Sequence, residues 1–495
     1  MKFHPEPTLG INHTSPLPLQ RRYFQCMPWR FLLLGYIATW LLLPHVLLAR
    51  KRPAATLAWV WSILLFPYAG ALFYLLFGGE RFLRKRMRRA AKARLFPHDH
   101  PTGTPELIAA LPNNAADMLR ALATINKTPT SSATHLRLLV DAREFYPALS
   151  EAIAKAQHHV HFESFIWRDD ARGHHFLTLL TNAARRGVQV RLLLDQIGCL
   201  GTPSQFFHPL LEAGAQFAWF YPLPFGRHLR FLNLRNHRKL QIIDGSLAFI
   251  GGMNIGCEYA GEDPSVGPWR DAQLAATGHV VTTLQETFAT DWHFATKEKI
   301  TGPQFYPETP ATSGHLCQVI VGGPDTPREP IPKSLISLLN FATSRVWIAT
   351  GYFAPDTPLL TALQLCALRG VDVRLLISER SDHRCLVHVG RSYYEDLLRY
   401  GIRVFEYSAA VNHSKAILID TDWILIGSAN SDNRSMRLNF ELNLLAHCTQ
   451  TASQLAAMLA KDFSDSTEMH LADFSNRPLG QRLLEATLRP LAPLL

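Results

Sequence analysis

Two stretches without a charged residue stand near the start of the chain, nineteen residues at 31–49 and twenty-five at 54–78. Each is long enough to cross a hydrocarbon core as a helix, which takes about twenty residues. Only Arg50-Lys51-Arg52-Pro53 separates them. The pattern predicts a retained transmembrane helical hairpin over 31–78, kinked at Pro44 and Pro67, behind a Pro- and His-rich flexible tail at 1–30, with a shallow re-entrant hairpin that never crosses the bilayer as the alternative. A cleaved signal peptide fits poorly, because its apolar core would be shorter and no second run would follow.

Beyond a polar linker around Thr128 to Thr134 the period changes, and the same order of elements is predicted twice. Strand 160–165, helix 176–186 and strand 188–194 make the first pass; strand 346–349, helix 358–369 and strand 371–377 make the second. The joins match, Arg186-Gly187-Val188 against Arg369-Gly370-Val371, with glycine suited to ending a helix. Strand, helix, strand alternation predicts two α/β units, each with a largely parallel sheet. The expected divisions are a basic membrane-proximal linker at 79–127, a first domain at 128–310 and a second at 311–495.

Each unit also carries a hairpin signal. Strands at 240–243 and 246–250 meet at Asp244-Gly245, and strands at 416–419 and 423–426 meet at Asp420-Thr421-Asp422. The hairpins share a motif: His237, Lys239 and Asp244 in the first, His413, Lys415 and Asp420 in the second, at identical spacing. Asn254 and Asn430 fall ten positions past their aspartates, inside Gly251-Gly252-Met253-Asn254 and Gly427-Ser428-Ala429-Asn430. A single His-x-Lys-x4-Asp is weak; two in register, with aligned extensions, indicate a duplication. The copies differ where Ser428 stands for Gly252, and Tyr352 falls in the strand region that corresponds to Glu163.

Charge, divided along the chain, changes the picture of partners. Of a net +10, residues 1–80 contribute +5 and 81–94 contribute +8, which leaves −3 for 95–495. A nucleic-acid binder would carry its basic surface on the catalytic body, so nucleic acid is not an expected partner. Positive charge beside an apolar hairpin suits anionic lipid head groups and, by the positive-inside rule, puts the body on the cytoplasmic side. Seven cysteines without a CxxC pair give no disulfide framework and no thiolate metal site.

Two imidazoles and two ammonium groups suit phosphodiester transfer. A neutral His attacks phosphorus while a protonated one donates to the leaving alkoxide, and Lys239, Lys415, Asn254, Asn430 and Ser428 hold the equatorial oxygens. The lysines supply the positive charge, so no metal or other cofactor is expected. His158-His159-x-His161 has the look of a ligand cluster, but a strand divides such residues between two faces, and a structural or surface role is expected.

The doubled motif resembles the phospholipase D superfamily, and its bacterial cardiolipin synthase branch in particular. The likeness runs through Arg235-Asn236-His237-Arg238-Lys239, Trp269-Arg270-Asp271, Thr350-Gly351-Tyr352-Phe353-Ala354-Pro355-Asp356, Ser381-Asp382-His383 and Asn439-Phe440-Glu441-Leu442-Asn443. It implies two duplicated α/β domains face to face, at the bacterial inner (cytoplasmic) membrane, multi-pass, with cytoplasmic catalytic domains. It further implies that two phosphatidylglycerol molecules condense to cardiolipin and glycerol through a phosphatidyl-histidine. A phospholipase D-type hydrolase is the alternative. Asp271 and Glu441, at similar distances past His237 and His413, match the acidic residues that orient each His; for Asp271 an ion pair with Arg270 is the competing role. The sequence leaves open which His attacks, with position in the superfamily favouring His237.

Overall fold

The computed structural model describes residues 33, 36–37, 39–49, 53–78, 104–221, 234–308, 314–326, 328–381 and 384–492. The expected tail at 1–30 and residues 79–103 of the expected linker lie outside these, while the rest of that linker holds the helices Pro105–Ala109 and Asn113–Asn126. The chain divides into two compact units, Met1–Leu83 and Arg84–Leu495.

In the first unit the apolar runs form short helices, Leu42–Leu48, Pro53–Leu65 and Pro67–Phe73, the last continuing into a π-turn at Tyr74–Gly78. Pro67 begins a new helix because its ring nitrogen has no proton to donate to the preceding turn. The second run, expected as one helix, is therefore divided at Phe66, and among the described residues no helix is long and apolar enough to cross a membrane. Val46, Ile63 and Tyr74 form a small core, and His45 Nδ1 lies 2.8 Å from the Tyr74 hydroxyl, joining the two runs.

The second unit holds two large mixed sheets. The first runs His135–Val140, Ala272–Thr277, Leu247–Gly251, Leu240–Ile243, His159–Ser164, Gln189–Asp195, Gln216–Phe220. The second repeats this order as His315–Gly322, Glu441–His447, Trp423–Gly427, Lys415–Ile419, Arg345–Thr350, Asp372–Ser378, Arg403–Tyr407, with Thr130–Ala133 and Ser466–Met469 added at its edges. The expectation of largely parallel sheets is corrected. Among the described residues of these two sheets, the ladders joined by strand-helix-strand crossovers are parallel, two in each sheet, while the motif hairpins and their neighbours are antiparallel.

Local chemistry explains the repeated units. Asp170 accepts hydrogen bonds from the N–H groups of Arg172 and Gly173 at 3.0 and 2.9 Å, which starts Ala171–Arg185 five residues before the expected helix. Asp356 caps Thr357–Leu368 in the same way through Leu359 N at 3.1 Å. Gly187 and Gly370, at φ +90° and +87°, turn the chain out of these helices into the next strand. Both motif hairpins close with three residues, and Asp244 and Asp420 each take φ +51°.

The register places Val160 opposite Ile243 and Val346 opposite Ile419, so the halves superpose residue for residue. Glu163 then faces Leu240 where Ala349 faces Ala416; Ala349, not Tyr352, occupies the place of Glu163. Alternation within the hairpins divides the core. Leu240, Ile242, Ala416 and Leu418 point into a shared core between the sheets, whereas Ile243 faces the first half's outer helices and Ile417 and Ile419 face the second's. Helices Val280–Thr296 and Thr449–Ser464 also bury residues in the shared core. The halves therefore meet sheet to sheet as one body.

Candidate active site

His237 and His413 lie just outside the ends of their hairpins, where two short contacts stitch the halves together. Trp269–Arg270 pairs in parallel with Val411–Asn412, and Asn236 bridges to Phe440. His413 N donates to Arg270 O at 2.8 Å and His237 N donates to Phe440 O at 2.9 Å. Each histidine is thus placed beside the residue that follows its neighbour in the other half.

The orienting carboxylates are consequently exchanged. His413 Nδ1 lies 2.7 Å from Asp271 Oδ2, and His237 Nδ1 lies 3.1 Å from both Glu441 and the Ser428 carbonyl. The sequence pairs each acid with the histidine upstream of it; the fold pairs it with the histidine of the opposite half. The expected alternative for Asp271, an ion pair with Arg270, is not formed. Arg270 turns to Asp462 at 2.6 Å and Asp141 at 3.1 Å. With Nδ1–H donated to a carboxylate, each ring presents Nε2 to the site.

Lys239 Nζ donates to the His237 carbonyl at 2.7 Å and Lys415 Nζ to the His413 carbonyl at 2.6 Å. Each lysine is thus tied to the backbone of its own motif's histidine. The two lysines also lie in one field. Lys239 feels Glu441, Lys415 and Asp271; Asp271 feels both lysines; His237 feels both lysines. The motifs of the two halves therefore face a single space.

Burial makes the two imidazole pairs unequal. It pushes His237 down to about 4, against the pull of Glu441, so its ring is neutral at pH 7. Glu441 is raised by burial but held below its ordinary value by His237, Lys239 and the Ser428 hydroxyl. Asp271 is pushed by burial up to about 7, with the lysines opposing. Burial also drives Lys239 well below the usual lysine range, and an anionic ligand restores its proton.

The remaining expected residues divide into two places. Ser428 Oγ contacts Glu441 and accepts from Leu442 N at 3.0 Å, so it serves the carboxylate. Gly252, its counterpart, has no space for a side chain, because a Cβ would meet Asp271 Oδ1 at 2.4 Å. Asn254 Oδ1 accepts from Ile166 N at 3.1 Å, at the end of the strand beside His237. Asn430 lies across from His413, and a Cβ added at Gly351 would stand 3.5 Å from Asn430 Oδ1 and 3.3 Å from His413 Cα. Asp244 and Asp420 are at the hairpin turns, away from the imidazoles. Asp244 takes the N–H groups of Gln157, His158 and His159 at 2.9, 2.7 and 2.8 Å; Asp420 takes those of Thr343, Ser344 and Arg345 at 3.1, 2.7 and 3.2 Å.

Several residues around the histidines have no site role assigned to them by the sequence. Phe165 stands edge-on to His237 at 5.0 Å, and Trp269, Tyr259 and Tyr352 surround His413 at 5.2, 6.1 and 6.5 Å. Arg238, inside the first motif, donates to Gly322 O at 3.0 Å and Glu441 O at 3.3 Å and pairs with Asp291, while Asn236 contacts the buried Glu163. Ser414 occupies the position of Arg238 in the second half. His159 and His161, two apart on their strand, share one face, rings 4.5 Å apart against Phe305, while His158 precedes the strand. Burial holds both as neutral structural imidazoles.

Two superposable α/β halves that bring two His-Lys sets to one space define a phospholipase D-like protein. The family model "cardiolipin synthase, PLD-like domain" matches twice, at residues 149–292 and 335–463, and "phospholipase D-nuclease N-terminal" matches 37–79. The chain is 36% identical to a cardiolipin synthase of Alkalihalophilus pseudofirmus over 90% of each chain. It is also 36% identical to cardiolipin synthase A of Pseudomonas aeruginosa, over 93% of this chain and 94% of that one. A crystal structure of phosphatidylserine synthase from Haemophilus influenzae shares the fold, with a TM-score of 0.58 at 15% identity over 76% of this chain and all of that one. The chain belongs to the cardiolipin synthase family.

Proposed function

We propose that the protein condenses two phosphatidylglycerol molecules into cardiolipin and glycerol. The observation that carries this reading is the exchanged pairing of His237 with Glu441 and His413 with Asp271 around two shared lysines. His237, neutral at pH 7, attacks phosphorus through Nε2. The bond from phosphorus to the head-group glycerol oxygen breaks, and the pair His413–Asp271 supplies the proton that this alkoxide takes. The raised carboxyl of Asp271 supports a pair that retains a proton near neutrality. A head-group hydroxyl of the second lipid then gives its proton back to His413 and attacks the phosphatidyl-histidine, releasing His237. Lys239 and Lys415 neutralise the equatorial oxygens, with Asn254 and Asn430 at their sides. Asp244 and Asp420 hold the hairpins to the strands that carry the site.

The apolar residues 31–78 retain their place in this reading as a membrane-embedded hairpin, supported by the two uncharged runs and the match at 37–79. Anionic phospholipids are then both surroundings and substrate, and the body at 128–310 and 311–495 works on the cytoplasmic face of the inner membrane. The second reading, a hydrolase, differs only in the acceptor. Labelled phosphatidylglycerol given to the purified full chain separates them: cardiolipin with equimolar glycerol is expected, whereas phosphatidic acid as sole product overturns synthesis. His237→Ala and His413→Ala are each expected to abolish turnover, and full activity in either removes the two-imidazole mechanism.

A further inference from the structure

Near the C-terminus the helix Leu479–Leu488 has its polar and apolar sides reversed relative to an ordinary surface helix. Its one acidic residue, Glu485, is turned inward and takes Arg477 and Gln481, each at 3.0 Å. Three of its four leucines are turned outward, with Leu479 69%, Leu483 58% and Leu484 46% exposed. The one charged side chain on the outer face is Arg482. Leu488 and Ala492 fasten the end of the segment to the second half's outer core, so the exposed leucines belong to a fixed element.

That element is connected to the site through two intervening ones. Leu479–Leu488 packs on the helix Arg384–Arg391, which packs on Phe353–Ala354, and the adjoining Tyr352 ring is 6.5 Å from His413. An apolar face with a single positive charge complements an anionic lipid interface, where leucines enter the acyl boundary and arginine meets head-group phosphates. We propose that the outer face of Leu479–Leu488 lies in the surface of an anionic phospholipid bilayer and holds the second half against the membrane from which substrate enters. The inference rests on the reading that the substrate is a membrane lipid.

Hydrogen exchange of the full-length protein in nanodiscs tests it. With phosphatidylglycerol in the disc, amides of 479–488 are expected to exchange roughly tenfold more slowly than in discs of phosphatidylcholine alone. L479S/L483S/L484S is expected to lose this protection while Arg403–Tyr407 exchanges as in the wild type, and R482E to lose part of it. Equal exchange in the two lipids, protection that survives the triple substitution, or protection that grows with protein concentration and so reports a second copy, each overturns the proposal. Protection in a protein that makes no cardiolipin overturns the functional reading and leaves the docking surface standing.

Discussion

His237 and His413 carry the same ring in different fields. Glu441 stays ionised beside His237, helped by Ser428, whereas Gly252 gives Asp271 no hydroxyl and burial brings that carboxyl to about 7. The rate should therefore fall on the acid side only near pH 4, where His237 gains a proton, and on the alkaline side above about 7, where Asp271 loses one. Asp271→Asn has no carboxyl proton to lose, so the alkaline limb is expected to disappear. Turnover should fall by about 100-fold or more, as for loss of a general acid. Glu441→Gln should lower the rate without moving that limb. A pH–rate profile of lipid exchange in mixed micelles checks both; an alkaline limb unchanged in Asp271→Asn removes the Asp271 proton from the chemistry.

At the scale of elements, the two hairpins depend on their turn aspartates. Asp244→Ala leaves three N–H groups at the start of His159–Ser164 without their acceptor. Roughly 1–3 kcal/mol of stability should be lost while the folded fraction keeps its turnover per molecule. A lower Tm with unchanged kcat is the expected pair of measurements, and a kcat loss at full stability would return Asp244 to the chemistry. The strand itself brings acid sensitivity. Burial lowers His159 to about 4, so the unfolded chain takes up the proton first. Stability is then complete above about pH 6.5 and declines as pH falls toward 4. Tm measured across that window should drop, and His159→Leu should flatten the dependence.

Over the whole molecule, catalysis and assembly of the halves are one event, because each histidine is held by a carboxylate from the other half. Arg270 fastens this arrangement, reaching from the strand next to Asp271 to Asp462 in the second half. Arg270→Ala leaves Asp462 and Asp141 without their shared cation, and a loss on the order of 3–5 kcal/mol is expected. Urea unfolding measures the loss, and kcat should decline with it as the Val411–Asn412 contact loosens. A variant as stable as wild type would show that the apolar core alone holds the sheets together.

The sequence by itself determined the duplication, the strand and helix order of each half, and the chemistry available. Those features are local: a period of two or 3.6, a glycine after a helix, a His and a Lys two positions apart. The bonds of the Asp244 and Asp420 side chains are not local, since each reaches a strand start 75 or more positions earlier in the chain. The tertiary structure alone decided which carboxylate serves which histidine, because Asp271 reaches His413 through a pairing of strands 142 residues apart. It also decided that Ala349 replaces Glu163, that Arg238 ties the first motif to the second sheet, and that the sheets are mixed. Such contacts depend on register and on the meeting of two faces, and spacing along one chain carries no record of what lies across a shared core.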